Sequence, residues 1–184
     1  MDEVGRGCWA GPLVAAAVLM PAGLAPEPGT KIADSKKLSK KQREIADLWI
    51  RRNALAIGVG WVSPAEIDEL GLTEGVRLAM SRALDEIKED YDELIIDGNI
   101  NYFANNPKAQ AIVKADSTVP TVSVASIVAK VARDNYMANL PAKYAGYSFA
   151  AHVGYGTAAH IAALKELGIC DIHRLSYKPI KAYL

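Results

Sequence analysis

A chain of 184 residues, 51% hydrophobic and 23% charged, has the size and composition of one globular domain and lies far from the disordered class. Its 21 Lys and Arg balance 21 Asp and Glu, so no global positive field marks a nucleic-acid binder and any such site must be a local patch. Two cysteines, Cys8 and Cys170, offer no CxxC or Cys/His spacing for zinc; they speak against a disulfide framework and fit a reducing, cytoplasmic setting.

In chain order, the apolar run 13–20 is too short to span a bilayer and follows Asp2 and Glu3 rather than a basic leader, so it reads as a buried strand. Residues 21–30, with Pro21, Pro26, Pro28 and two glycines, form a surface loop. Ser39-Lys40-Lys41-Gln42 is a capping box opening a helix with Ile45, Leu48 and Trp49 on one face. Leu55, Ile57, Val59 and Trp61 alternate with Ala56, Gly58 and Gly60, which is strand periodicity. Ser63-Pro64-Ala65-Glu66 starts a second helix that Gly71 stops. After Thr73, the spacing of Val76, Ala79, Met80, Ala83, Leu84 and Ile87 predicts a long amphipathic helix.

Residues 93–98 read as a short buried strand ending in an acid and a turn, and 111–114 as another, ending at Asp116. A helix from Val122 to about Leu140 turns Val124, Ile127, Val128 and Val131 inward, while Ser123, Ser126, Lys130 and Arg133 form a polar stripe at +3/+4/+3 spacing. Thr157 caps a last helix holding Ile161, Leu164 and Leu167, ended by Gly168. Strands alternating with helices predict an α/β domain, with an antiparallel hairpin near the start allowed.

Asp2-Glu3, Asp97 and Asp116 each lie at an edge of an apolar segment. Carboxylates at strand ends converge on one rim of a sheet, where they repel unless a cation sits among them. An acid cluster without histidine favours Mg²⁺ or Mn²⁺ over zinc. Two such ions can activate a water and stabilise the leaving oxygen in phosphodiester cleavage. Position alone does not decide this: Asp97-Gly98 is a common turn pair, and a terminal acidic pair is often a solvated end. His152, His160 and His173 have no ligand spacing with these acids, and neither cysteine has an assigned chemistry.

The words around the acids are more specific. Asp2-Glu3-Val4-Gly5-Arg6-Gly7, Ala10-Gly11-Pro12, Asp34-Ser35-Lys36-Lys37-Leu38-Ser39, Ile96-Asp97-Gly98-Asn99 and Val113-Lys114-Ala115-Asp116-Ser117 occur in this order. The stretch 123–134, Gly154-Tyr155-Gly156-Thr157 and His173-Arg174-Leu175-Ser176 follow. Across essentially its whole length the chain resembles bacterial ribonuclease HII. The resemblance implies an RNase H-like mixed sheet flanked by helices, in one domain over 1–184 with a short helical C-terminal part from about 140. It implies an endonuclease that cleaves RNA in RNA–DNA hybrids and nicks 5′ of single ribonucleotides embedded in duplex DNA, as in ribonucleotide excision repair and DNA replication.

By motif position, Asp2, Glu3, Asp97 and Asp116 match the family's metal-site acids, holding two Mg²⁺ or Mn²⁺ ions. Gly5-Arg6-Gly7 matches the loop that reads the ribose 2′-hydroxyl through backbone groups, which glycine allows by close approach. Tyr155 matches the tyrosine that packs on the sugar at the RNA–DNA junction. Lys36 and Lys37 match a basic pair near the substrate backbone, where they position rather than specify. Lys130 and Arg133 fit phosphate contacts or pairs with acids such as Asp134. The expected partners are RNA–DNA hybrid and ribonucleotide-containing DNA, with a monomeric protein and no membrane. Residues 179–184 are only a faint candidate for a sliding-clamp motif.

Three features depart from the family. Cys8-Trp9 stands where Pro or a small residue is usual, and Val153 where a basic residue precedes Gly154-Tyr155. Ahead of Asp2 the family has an apolar strand, and here there is Met1. The expectation is an incompletely filled position beside the strands at 13–20 and 94–97, with lower stability and a weakly aimed Asp2. Alternatives are a ribonuclease HIII-type enzyme, although no additional N-terminal substrate-binding domain is present, and a truncated, non-catalytic hybrid-binding form.

Overall fold

The structure, a computed structural model, describes residues 1–184. Strand β1 (Asp2–Val4) runs antiparallel to β2 (Leu13–Leu19), and β2 antiparallel to β3 (Ala56–Val62), with Asp2 opposite Ala16 and Ala16 opposite Val59. Strands β4 (Leu94–Asp97) and β5 (Ala109–Ile112) pair in parallel. A single rung joins the two pieces. The Met1 ammonium donates to the Ile95 carbonyl at 2.6 Å, and the Met1 carbonyl accepts from the Asp97 N–H at 3.0 Å. That is the bonding pattern of a parallel ladder. It gives a mixed arrangement in the spatial order β3-β2-β1-β4-β5.

Helices cover both faces, which is why β2 is apolar at every position rather than alternating. On one side α2 (Pro64–Leu70) and α3 (Leu72–Asp85) pack Ile67, Val76, Ala79 and Met80 against Leu13, Ala15, Val62 and Ile96. On the other, α1 (Lys40–Asn53) and α5 (Pro120–Ala138) pack Trp49, Ile50, Ile127 and Val128 against Ala16. Gly58 and Gly60 let α3 lie directly on β3: a side chain at either would meet the Ala83 or Ala79 carbonyl at 1.9 Å.

Both capping boxes form, Ser39 with Gln42 and Ser63 with Glu66, and Gly71 ends α2 at φ 80°. Two local expectations are corrected. In α1 the buried residues are Ala46, Asp47, Trp49 and Ile50, while Ile45 and Leu48 face solvent. The apolar residues of this helix spread around most of its circumference, and packing on α5 selects the stripe containing Ile50. The second correction concerns Asp116, which does not end a strand. Strand β5 stops at Ile112, Val113 is exposed, and Lys114 turns the chain at φ 60° into the short helix α4 (Ala115–Thr118), whose first turn carries Asp116.

From Ala142 onward the chain is a turn and short helices: a 3₁₀ segment Ala142–Tyr147, α6 (Phe149–His152), α7 (Ala158–Leu167) and α8 (Lys178–Lys181). Thr157 caps α7 and Gly168 ends it as expected, although α8 follows. This part closes over Ala10 and Met137 through Tyr144, Tyr147, Phe149 and Ile172. Beside Met1, the far ends of β2 and β4 face each other across a groove lined by Val18, Met20, Leu84, Ile87 and Leu94.

Candidate active site

Three acids from three elements meet at one rim of the sheet. Asp2 on β1, Asp97 at the end of β4 and Asp116 on α4 each present a carboxylate oxygen within 4.8 Å of the others. The Met1–Asp97 rung places the first two side by side, and the Asp116 N–H donates to Asp97 Oδ1 at 3.3 Å, docking α4 against β4. Glu3 stands beside them. Arg6 takes Glu3 Oε1 at 3.1 Å, while Glu3 Oε2 is buried without a hydrogen-bond partner.

The electrostatics of this rim are unfavourable without a cation. Burial, and then the neighbouring charge of Glu3, pushes the Asp2 carboxyl up to about 7, against the pull of a hydrogen bond from Ser126. Burial also raises Glu3, opposed mainly by Arg6. Converging carboxylates, one orphaned oxygen and an all-oxygen donor set suit a hard divalent cation. Among the expected basic residues, Lys36 reaches this cluster, 3.7 Å from Asp116 Oδ2. Lys37 does not: it turns to Asp34 at 3.9 Å.

Helix α5 is the spine of the site, and three of the four members of its polar stripe bond other segments. Ser123 Oγ donates to the Asp116 carbonyl at 2.7 Å. Ser126 shares a 2.8 Å hydrogen bond with the buried hydroxyl of Ser35 and lowers the Asp2 carboxyl. Lys130 pairs with Asp134 at 2.8 Å and lies 5.9 Å from the centre of the Tyr155 ring. Arg133 makes neither of the contacts expected of it. It is fully buried and donates to three carbonyls, those of Pro12, Ala10 and Val153, at 2.8–3.1 Å.

Arg133 thereby joins the loop after β1 to the loop carrying Tyr155. A second buried guanidinium, Arg174, donates twice to the Gly11 carbonyl and, at 3.2 Å, to that of Arg6, which also accepts from the Tyr177 hydroxyl at 2.6 Å. In a trans peptide the N–H points opposite to the carbonyl. Drawing the Arg6 carbonyl inward therefore turns the Gly7 N–H outward. Gly5, at φ 94°, has no room for a side chain, which would meet Arg133 Nε at 2.5 Å. A Cβ on Gly7 would lie 4.0 Å from Tyr155 Cε1, so the glycine loop and the tyrosine share one surface. The Arg6 side chain reaches back to Glu3 and ties this surface to the acidic rim. Both arginines stand in motif words, 123–134 and 173–176, but the role of neither was legible there.

Comparison with known proteins agrees with this geometry. The family model described as Ribonuclease HII matches residues 1–180. The chain is similar to the ribonuclease HII of Laribacter hongkongensis, with 46% identity over all of this chain and 92% of the relative. The enzyme of Hyphomonas neptunium is 44% identical over all of this chain and 94% of the relative. Among solved structures, the chain is similar to one from the PCNA:RNase HII complex of Archaeoglobus fulgidus, with TM-score 0.78 and 28% identity over 96% of this chain and 93% of that one. The ribonuclease H2 of Pyrococcus horikoshii shares the fold at TM-score 0.79 and 23% identity, over 99% of this chain and 94% of that one. The expected RNase H-like architecture is thus the observed one.

Proposed function

The chain belongs to the ribonuclease HII family and is a ribonuclease H, and on that footing we propose a divalent-metal-dependent endonuclease that cleaves RNA in RNA–DNA hybrids and nicks 5′ of single ribonucleotides embedded in duplex DNA. The observation that carries this reading is the convergence of Asp2, Asp97 and Asp116 beside the unpartnered oxygen of Glu3. These four acids would hold Mg²⁺ or Mn²⁺, as two ions. When bound, such ions supply charge neutralisation and an activated water for in-line phosphodiester hydrolysis.

The remaining residues select and orient the substrate. The outward Gly7 N–H and the adjacent backbone are placed to read a ribose 2′-hydroxyl, and Tyr155 offers its ring to the sugar beside them. Lys36 steadies the strand by a phosphate contact near Asp116. Lys37, exposed at the edge, is left to a more distant phosphate. The protein acts as one domain and as a monomer in the cytoplasm; no helix of the structure is long and apolar enough to cross a membrane. Because a structural relative is bound to PCNA and Leu184 is exposed at the end of the tail, a sliding clamp is a further proposed partner.

The test is a cleavage assay on two otherwise identical duplexes, one with a single ribonucleotide and one all DNA. With Mg²⁺ or Mn²⁺ the first is nicked 5′ of the ribonucleotide. A site built to bond a hydroxyl rejects the analogue lacking it by about 10⁴-fold, so the second stays intact. Chelation stops the reaction. Equal cutting of both duplexes, or cutting that survives chelation, contradicts the reading.

A further inference from the structure

All three histidines of the chain, His152, His160 and His173, meet in one buried cluster behind the Tyr155 loop. The rings of His152 and His160 stack with centroids 4.6 Å apart, and His160 lies 5.2 Å from His173. Trp9, Tyr147 and Phe149 wall the cluster. No carboxylate bonds any of the three rings; the groups facing them are Tyr147, Cys170 and, at the edge, Asp171.

The hydrogen bonds, taken with burial of the rings, give one consistent proton order. The Tyr155 carbonyl can only accept, so His160 Nδ1, 3.0 Å away, carries hydrogen. Burial holds His160 down at about 4, so the ring is neutral and its Nε2 is an acceptor. The partner of that nitrogen, His173 Nε2 at 3.0 Å, must donate. His173 Nδ1 is then bare, as the Cys170 N–H aimed at it from 2.8 Å requires. The Cys170 carbonyl also lies 3.2 Å from this nitrogen, but it accepts from the His173 backbone N–H at 3.0 Å, and the shorter contact to the ring nitrogen is the Cys170 N–H. The result is a one-way chain of donors: Cys170 N–H to His173, His173 to His160, His160 to the Tyr155 carbonyl. Beside it, His152 Nε2 donates to the Tyr147 carbonyl at 2.8 Å, and its Nδ1 accepts from the Gly154 N–H at 3.2 Å.

We propose that His160 and His173 are positioning residues for Tyr155, a neutral relay whose single proton order holds the tyrosine loop in register with the Gly5-Arg6-Gly7 loop. The relay reaches the loop where little else can move. The Gly154 carbonyl accepts from the Trp9 N–H at 2.8 Å, Val153 is held by Arg133, and a side chain on Gly156 would collide with the Trp9 ring. His160 shares the Tyr155 carbonyl with the Thr157 N–H, which donates to it at 2.8 Å, and supplies the one side-chain donor that ties this peptide to the core. His173 acts only through His160. Without its Nε2–H, the proton of His160 is free to move to Nε2, and the Tyr155 carbonyl then faces a bare nitrogen. The proposal rests on the assignment of Tyr155 to the substrate surface.

Two measurements test it. The ring nitrogens of the intact protein, read by ¹⁵N-resolved NMR near pH 7.5, show the Nδ1–H tautomer for His160 and the Nε2–H tautomer for His152 and His173. In nicking of the single-ribonucleotide duplex, H160A loses about five- to tenfold in kcat/KM, the size of one buried hydrogen bond. H160N, whose amide can replace the Nδ1–H donor, stays within about twofold, as does H173Q, whose amide can replace the Nε2–H donor. Placed in a Y155A background, H160A costs nothing further. If H160A does not fold, H173A replaces it with the same expectation. An Nε2–H tautomer for His160 overturns the proposal, as does a parental rate for H160A, a failed rescue by H160N, or a full additional loss in the Y155A background. A parental rate for Y155A alone identifies a different failure, that of the functional assignment of Tyr155.

Discussion

The acidic rim and the cradle of the two loops proposed to hold substrate are built on opposite principles. At the rim, carboxylates are packed together under partial burial, one is pushed up to about 7, and one oxygen has no partner. In the cradle, two buried guanidiniums and three buried imidazoles find all their bonds, almost entirely on backbone carbonyls and amides. Unmet electrostatic demand suits the rim to an exogenous ion, and complete satisfaction suits the cradle to a fixed scaffold. Perturbing either region should therefore give a recognisably different result.

The largest effect is expected at the rim. Asp97→Asn removes a ligand charge and keeps the shape, so turnover falls to background while the apo protein melts at the same or a slightly higher temperature. Activity within a few-fold of the parent in saturating Mn²⁺ would remove Asp97 from the metal site. In the cradle the sign reverses, and stability is what suffers. Arg174→Met orphans the Gly11 carbonyl and leaves the Arg6 carbonyl with the Tyr177 hydroxyl alone, at a cost of about 2 kcal/mol, or roughly 4–8 °C of melting temperature for a chain of this size. Lysine should not rescue it, because a point charge cannot serve the same fork of carbonyls. A melting temperature within a degree of the parent would show that the buried guanidinium is dispensable.

A smaller gain is expected from the groove beside Met1. An engineered extension of four or five alternating apolar residues ahead of Met1 would continue the β1 ladder between β2 and β4. It would also replace a buried ammonium, held down at about 6 by burial, with an amide. The melting temperature should rise by several degrees, and an unchanged value would mean that the groove does not accept a strand.

The smallest effect sharpens the comparison most, because the two regions titrate with opposite signs. Asp2 is raised, so its contribution to apo stability is present below the ordinary carboxylate range and is lost as pH rises through about 7. His160 is lowered, so its contribution is present above the ordinary imidazole value near 6.5 and is lost as pH falls toward 4. Melting curves from pH 4 to 8 should show the parent losing ground to Asp2→Asn as pH rises, and gaining on His160→Asn. Parallel curves for all three proteins would contradict both assignments.

What was legible in the sequence was local or lexical. The capping boxes at Ser39 and Ser63, the glycine stop at Gly71 and the inward stripe Val124, Ile127 and Val128 all act within a few residues of themselves. The acids were found through the words around them, since Asp97-Gly98 alone is an ordinary turn. The element that carries Asp116 was missed because a left-handed turn at Lys114, not hydrophobicity, ends β5. The face of α1 was missed because two apolar stripes compete on it. The buried arginines and histidines were invisible as a group. Arg174 bonds a carbonyl 163 positions away, and no periodicity connects His173 to Tyr155.

The central claim is that the rim is a cation site poised by the protonation of its own acids. Mn²⁺ titrated calorimetrically into the apo protein at pH 6, 7 and 8 tests it most directly. Binding should tighten across that range with proton release, as expected for a carboxyl that must ionise near pH 7 to serve as a ligand, and Asp97→Asn should abolish it. Absence of binding at pH 8, or the same isotherm for Asp97→Asn, would contradict the account.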